Sequence, residues 1–289
     1  MIVYLHLVLI AAIQGITEFL PVSSSGHLVL LPNLTSLPDQ GQTLDVAAHA
    51  GTMIAVMVYL RRDIAEMLSG LFSPAGTRTD QAIGARYLFG ILILASLPVI
   101  IVGLFVEFLD PSFLRLTMTV AIANLICAGW LFLADKEPIL HDITGATAPQ
   151  DTDKSGHHII DWRQLSVRDA CYIGLAQVIA LIPGASRSGV TMTMARQLGY
   201  DRLSAARFSL LLSLPVIAGA SLVKGASLAA APQKDQLISA GIVAVLSFIF
   251  ALSAIRWMMV WLSRTDFSAF VWYRLGLGIV LLGYLAIGG

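Results

Sequence analysis

Six stretches of this chain, residues 43–60, 86–109, 113–134, 205–226, 237–262 and 270–287, have the length and apolar character of bilayer-crossing helices, which need roughly 20 predominantly apolar residues. Charge or turn residues bound each of them, as at Arg61-Arg62-Asp63 and Asp135-Lys136-Glu137. Of 289 residues, 57% are hydrophobic and 12% charged, whereas a soluble domain has roughly 45–50% and about 25%. That much apolar surface cannot be hidden in a soluble core of this size. Lipid is the solvent, and the expected fold class is an all-α integral membrane protein. The formal net charge is zero, so no global field favours nucleic acid or an acidic partner. Residues 1–13 are apolar but carry neither a basic flank nor a small-residue cleavage site, so they are expected to belong to the fold. Cys127 and Cys171 lie in or beside apolar runs without metal-ligand spacing and read as small packing residues.

Two more apolar stretches, 5–20 and 169–182, are interrupted by proline. After Pro21 comes Val22-Ser23-Ser24-Ser25-Gly26-His27, and after Pro183 comes Gly184-Ala185-Ser186-Arg187-Ser188-Gly189. In both, a short helix runs into a hydroxyl- and glycine-rich break and a second short helix leaves it. Non-helical backbone at membrane depth is tolerated only where protein buries it or it lines a wet cavity. Both are therefore expected to be re-entrant helical hairpins, at 1–36 and 169–200. Laid over each other without gaps, 14–26 and 177–189 share five of thirteen residues: Gln14/Gln177, Ile16/Ile179, Ser23/Ser186, Ser25/Ser188 and Gly26/Gly189. Each hairpin precedes three spans. The expected plan is an inverted-topology repeat, with a first unit over 1–134, a polar cytoplasmic loop over 135–168 and a second unit over 169–289. Lys and Arg concentrate on the side holding Arg61, Arg62, Arg78, Lys136, Lys154, Arg163 and Arg264. That side is expected to be cytoplasmic, with the site opening to the outer side.

An ionisable residue inside a membrane segment is a functional candidate by default. Glu18 follows Gln14 by four residues, so both share one helix face just before the first break. It could pair with a basic residue for packing, or it could bind a divalent cation or move a proton. Arg187 lies in the second break between Ser186 and Ser188, with Thr191 one turn on. A guanidinium contacts phosphate through two parallel bonds, and the helix starting there aims its N-terminus at an anion. Arg187, the hydroxyls and that helix end describe a phosphate cradle, with a purely structural Arg as the alternative. Ser23, Ser24 and Ser25 could cap the second short helix or reach the same phosphate. His27 could be a satisfied buried histidine. Beside Glu18 and Arg187, acid–base or nucleophilic work becomes the sharper reading.

Together, Gln14-x-x-x-Glu18, Pro21-Val-Ser-Ser-Ser-Gly-His27 and Pro183-Gly-x-Ser-Arg-Ser-Gly-x-Thr191 resemble the undecaprenyl-diphosphate phosphatases, also called bacitracin-resistance proteins. Ser25 stands where members of that family often carry Thr, which keeps the hydroxyl. The resemblance implies hydrolysis of undecaprenyl pyrophosphate to the monophosphate in the bacterial inner membrane, dependent on Mg²⁺ or Ca²⁺, recycling the lipid carrier of cell-wall synthesis. By it, Glu18, Ser24, His27 and Arg187 would be catalytic, and Ser186, Ser188 and Thr191 would hold phosphate with Ser23 and Ser25. Glu18 and Gln14 would hold the cation. The expected partners are a polyprenyl pyrophosphate and the membrane, with a homodimer left open. The alternative is a secondary transporter or flippase of a lipid phosphate on the same inverted repeat. A lipid kinase is disfavoured, because no nucleotide loop ending in Gly-Lys-Ser/Thr is found.

Overall fold

The computed structural model describes residues 2–28, 41–73, 80–109, 111–141, 165–228 and 234–287. Arg78, Lys154, Arg163, the second arm of the first hairpin (29–36) and most of the polar connection (142–164) lie outside the described residues. Among the described residues, ten α-helices have both ends defined, in chain order: α1 Ile2–Thr17, α2 Gly41–Tyr59, α3 Arg61–Leu71, α4 Asp80–Leu109, α5 Thr117–Ala134, α6 Val167–Gln177, α7 Arg187–Gln197, α8 Arg202–Leu228, α9 Lys234–Leu262 and α10 Ser268–Ala286. Among the described residues the secondary structure is helical, apart from one isolated bridge between His141 and Tyr200.

Among the described residues, five helices (α4, α5, α8, α9 and α10) are long and apolar enough to cross a membrane, and a sixth span exists if α2 and α3 are one bent unit. Their lipid-directed character is visible in side chains such as Phe105, Phe108, Trp272 and Ile279, which point outward from the bundle. Three boundaries depart from the hydropathy reading. The span expected at 43–60 leads directly into α3, which turns away by 81° because Leu60 leaves helical geometry (φ −96°, ψ 25°). The span expected from 113 opens with a 3-10 turn, Ser112–Arg115, and an extended Leu116 before α5 begins at Thr117. The helix expected over 86–109 starts at Asp80.

Small residues set the packing. α2 lies against α9, and a Cβ at Gly51 would sit 2.1 Å from the Ala244 carbonyl oxygen. α6 approaches α4 as closely, since a Cβ at Gly174 would sit 2.3 Å from the Ala95 carbonyl oxygen. Close backbone approach through small residues is how helices associate where lipid removes the usual hydrophobic drive. At the far end of α7, buried Arg196 donates to the carbonyls of Tyr200 (2.5 Å), Glu137 (2.7 Å) and Asp135 (3.2 Å). The Asp135 carboxylate in turn accepts from Arg202 (2.7 Å) and from the Phe267 amide (3.0 Å), tying α5, α7, α8 and the start of α10 together. Tyr200 donates to Asp169 at 2.8 Å, and burial, then that carboxylate, push its phenol above the usual range.

Gly51→Ala should cost about 1–3 kcal/mol as an overpacked contact, read as an earlier thermal transition in detergent. Gly90→Ala is the control, because a Cβ there meets nothing within 4 Å. Equal melting of the two variants would contradict this packing.

Candidate active site

The two breaks meet, and each is built the same way. In the first, the helical ladder carries to Glu18, whose amide donates to the Gln14 carbonyl at 3.0 Å. Pro21 cannot continue it, and helix resumes at Ser24. In the second, α6 ends at Gln177, a 3-10 turn covers Val178–Leu181, and Ile182 is extended (φ −80°, ψ 116°). Gly184 then takes φ +95°, where a Cβ would strike the Val120 carbonyl oxygen at 2.2 Å. Among the described residues two non-glycine residues have positive φ: Ser23 at 73° and Ser186 at 70°. That conformation costs about 1–3 kcal/mol and persists only where surroundings enforce it. Each of the two serines uses its Oγ in the same way. Ser23 accepts from the Gly26 amide (3.3 Å) and lies 3.2 Å from Ser25 Oγ. Ser186 accepts from the Gly189 amide (3.2 Å) and lies 3.2 Å from Ser188 Oγ.

Hydrogen bonds then join one break to the other. The Gly184 amide donates to Ser25 Oγ at 3.2 Å, and Ser188 Oγ donates to the carbonyls of Leu20 (2.9 Å) and Glu18 (3.3 Å). Arg274 of α10, fully buried, donates to Gly184 O (3.1 Å), Ala185 O (2.9 Å) and Pro21 O (3.5 Å). Its Nε is held by Asn124 Oδ1 at 2.9 Å, and Asn124 donates back to the Arg274 carbonyl at 2.7 Å.

The buried Glu18 carboxylate is the centre of this junction. One oxygen accepts from Arg187 at 3.0 Å; the other accepts from Ser24 Oγ at 2.8 Å and Gln14 Nε2 at 2.9 Å. His49 of α2 places its Nε2 4.0 Å from that second oxygen, while its Nδ1 donates to the Asp45 carbonyl at 2.8 Å. Arg187 lies over the Phe19 ring at 5.7 Å and keeps a second nitrogen, Nη1, buried with no hydrogen-bond partner among the described residues. Ser24 is therefore joined to a carboxylate that a cation from the opposite break holds in place.

The sequence-derived residues divide into two groups. Gln14, Glu18, Ser24 and Arg187 converge. His27 lies close by but turns both nitrogens elsewhere, Nδ1 to the Ser23 carbonyl (2.7 Å) and Nε2 to the Tyr273 hydroxyl (2.5 Å). The hydroxyls of Ser23, Ser25, Ser186 and Ser188 shape and join the breaks. Thr191 Oγ1 is buried, on the Arg187 carbonyl (2.9 Å) and Ser209 Oγ (2.7 Å). Sequence reasoning missed Arg274, Asn124, His49 and Tyr273. The first three are polar residues inside apolar spans, so the rule that singled out Glu18 also pointed to them.

A divalent cation fits part of this arrangement. Gln14 Oε1 is buried beside Glu18 and has no hydrogen-bond partner among the described residues, which makes it a hard oxygen donor next to a carboxylate. Among the described residues no three His, Cys, Asp or Glu side chains gather as a metal cage. One carboxylate, a carbonyl oxygen and substrate phosphate is the usual way Mg²⁺ is held.

A family model described as bacitracin resistance protein BacA matches residues 7–280. Among relatives, the undecaprenyl-diphosphatase of Ruegeria pomeroyi is 44% identical over 279 residues, covering 96% of this chain and 97% of its own length. That of Jannaschia sp. is 43% identical over 277 residues, 96% of each chain. Undecaprenyl-diphosphatase 1 of Rhodospirillum rubrum is 42% identical over 291 residues, 98% of this chain and 96% of its own. At that identity and coverage, the chain belongs to the family of the bacitracin resistance protein BacA.

Proposed function

We propose that this protein hydrolyses undecaprenyl pyrophosphate to undecaprenyl phosphate and inorganic phosphate, and so recycles the lipid carrier of cell-wall synthesis and confers bacitracin resistance. The undecaprenyl-diphosphatase relatives support the reaction and the lipid substrate. The observation that carries it is the Ser24 hydroxyl donating to Glu18, whose other oxygen holds Arg187 from the opposite break. No relative reported above is named as a transporter, and nothing favours that alternative.

In the proposed reaction the Ser24 oxygen attacks the terminal phosphorus while its proton passes to Glu18. A serine hydroxyl is a weak nucleophile without such a base. The bond from phosphorus to the bridging oxygen breaks, and undecaprenyl phosphate leaves with the bond's electron pair. Water then attacks the phosphoserine, the proton held on Glu18 returns to the Ser24 oxygen as its bond to phosphorus breaks, and the water's protons leave on inorganic phosphate. Charge on the peripheral oxygens is met by Arg187, whose unpaired Nη1 is a ready second donor. Positioning and charge stabilisation of this kind supply most phosphoryl-transfer catalysis. Glu18 and Gln14 would hold a bound Mg²⁺ or Ca²⁺, which would supply charge neutralisation to the pyrophosphate. The amides at the start of α7 would add donors that the inward-turned hydroxyls of Ser186, Ser188 and Thr191 do not provide.

The same reading makes the two breaks re-entrant hairpins of an inverted repeat, 1–134 and 169–289. The matched Ser23 and Ser186 turns support this, as do their parallel hydrogen bonds. It places the protein in the bacterial plasma membrane as a multi-pass enzyme. The Lys and Arg asymmetry supports a site opening outward. A lipid substrate that stays in the bilayer requires sideways access of this kind.

Purified protein in detergent should release phosphate from undecaprenyl pyrophosphate, and a chelator should abolish that release until Mg²⁺ is restored. Hydrolysis needs no intact membrane, so failure to release phosphate with cation present would contradict the reading. Arg187→Lys keeps the charge but loses the planar two-pronged contact, and should lower kcat/KM about 100-fold. Near-normal turnover by folded Arg187→Lys would remove Arg187 from the phosphate site. Glu18→Gln should leave the melting profile close to wild type, reduce turnover and flatten the response to added cation.

A further inference from the structure

His27 and Tyr273 form a pair that the reaction as written does not use. Tyr273 lies on α10, one residue before Arg274, and about half of its surface is exposed. Its ring stacks on His27 with centroids 5.6 Å apart and planes 11° from parallel. The bonding pattern fixes the tautomer. The Ser23 carbonyl can only accept, so His27 Nδ1 carries a proton in that 2.7 Å contact. In the neutral ring Nε2 then has only a lone pair, and the Tyr273 hydroxyl must donate to it. The phenol proton is thereby spent on the histidine.

Adding one proton to His27 reverses that bond. Nε2–H donates to the Tyr273 oxygen, and the phenol proton is released to turn outward. His27 stands three residues beyond Ser24 on the same helical face, so Tyr273, bonded to His27, is joined to the turn that carries the nucleophile. An unprotonated phosphate oxygen can only accept. It can therefore bond to Tyr273 only when His27 is protonated.

Burial works against a second proton on His27, so the charge that favours it comes from the bound phosphate, the fixed charges nearby being already engaged. Glu18 is already paired with Arg187. Arg274 on α10 is held by three carbonyls and Asn124. Cys127 on α5 lies against Arg274. The two direct partners of His27 are a carbonyl and a neutral hydroxyl. We propose that His27 and Tyr273 form a proton-coupled phosphate clamp, in which protonated His27 turns the Tyr273 hydroxyl onto a phosphate oxygen of the substrate. The proposal rests on the phosphate site described above and adds to it a binding residue, Tyr273.

The test is binding of farnesyl methylenebisphosphonate, in which a methylene replaces the bridging oxygen and blocks hydrolysis. Calorimetry in detergent compares wild type with Tyr273→Phe at about pH 5.5 and about pH 8.5, either side of the ordinary imidazole value of about 6.5. Tyr273→Phe keeps the stacked ring and removes one oxygen. Ionisation of the probe is common to both proteins and cancels in the ratio of their affinities. Wild type should bind about tenfold more tightly than Tyr273→Phe at the lower pH, the worth of one hydrogen bond to a charged group, and nearly equally at the higher pH. His27→Gln, whose amide can donate to the Tyr273 oxygen at either pH, should remove the clamp's pH dependence, so its ratio to wild type also shifts between the two pH values, which keeps the test open if Tyr273→Phe does not fold. A ratio that does not change with pH, or no binding by wild type at the lower pH, would overturn the clamp. Phosphate release from undecaprenyl pyrophosphate is measured in parallel. Release with a flat ratio removes the clamp alone, whereas a pH-dependent ratio without release keeps the clamp and removes the phosphatase reading.

Discussion

Buried backbone that leaves helical geometry must find its hydrogen-bond partners within the protein, and here Arg274 is what allows two such segments to coexist. Its guanidinium collects carbonyls from Pro21 in one break and from Gly184 and Ala185 in the other, while Asn124 fixes its remaining edge. The partners are dipoles rather than a carboxylate, so a buried charge is satisfied without a second charge being consumed. Burying an unpaired guanidinium would otherwise cost several kcal/mol, on the order of a whole domain's margin of stability. Gly189 shows how tight the fit is, since a Cβ there would meet Arg274 Nη1 at 2.7 Å.

With the breaks held together, the groups proposed to be catalytic need little further support. Glu18 closes one helix, Arg187 opens another, and their 3.0 Å contact spans the junction. Ser24 is delivered to Glu18 because the positive φ of Ser23 restarts the helix in that direction. Strain in a non-glycine residue at both breaks is stored where the chemistry sits, as is common at functional sites. His27, the other group expected to act as base, is committed to Ser23 and Tyr273 instead. Among the described residues, the proton of Ser24 therefore has one acceptor at hydrogen-bond distance, the carboxylate.

Much of this was legible in the residues. Membrane spans announce themselves because lipid demands long apolar runs, and both breaks stood out because proline, serine and glycine interrupt such runs. Glu18 and Arg187 were visible as charges where charge is costly. The 81° turn at Leu60 was not, because Arg61-Arg62-Asp63 reads as the end of a span rather than the start of an amphipathic helix. Arg274 carried the same signal as Glu18, but its partners lie 89 to 253 positions away, and nothing local names them. Which way a hydroxyl points is also invisible from spacing. Ser188 and Thr191 fit a phosphate loop by composition, yet fold inward onto Glu18, Leu20 and Ser209. Tyr273 looks like any aromatic on an apolar helix until tertiary structure sets it on His27.

The bond between Ser24 and Glu18 is the proposed route by which the phosphoryl group is taken. Rapid acid quenching during turnover of undecaprenyl pyrophosphate labelled in its terminal phosphate tests it directly. Label recovered as an acid-stable ester on Ser24, and lost in Ser24→Ala together with activity, is the predicted result. Substantial turnover by Ser24→Ala with no acid-stable phospho-enzyme at any quench time would contradict it, and would make Ser24 a donor to the substrate rather than the attacking group.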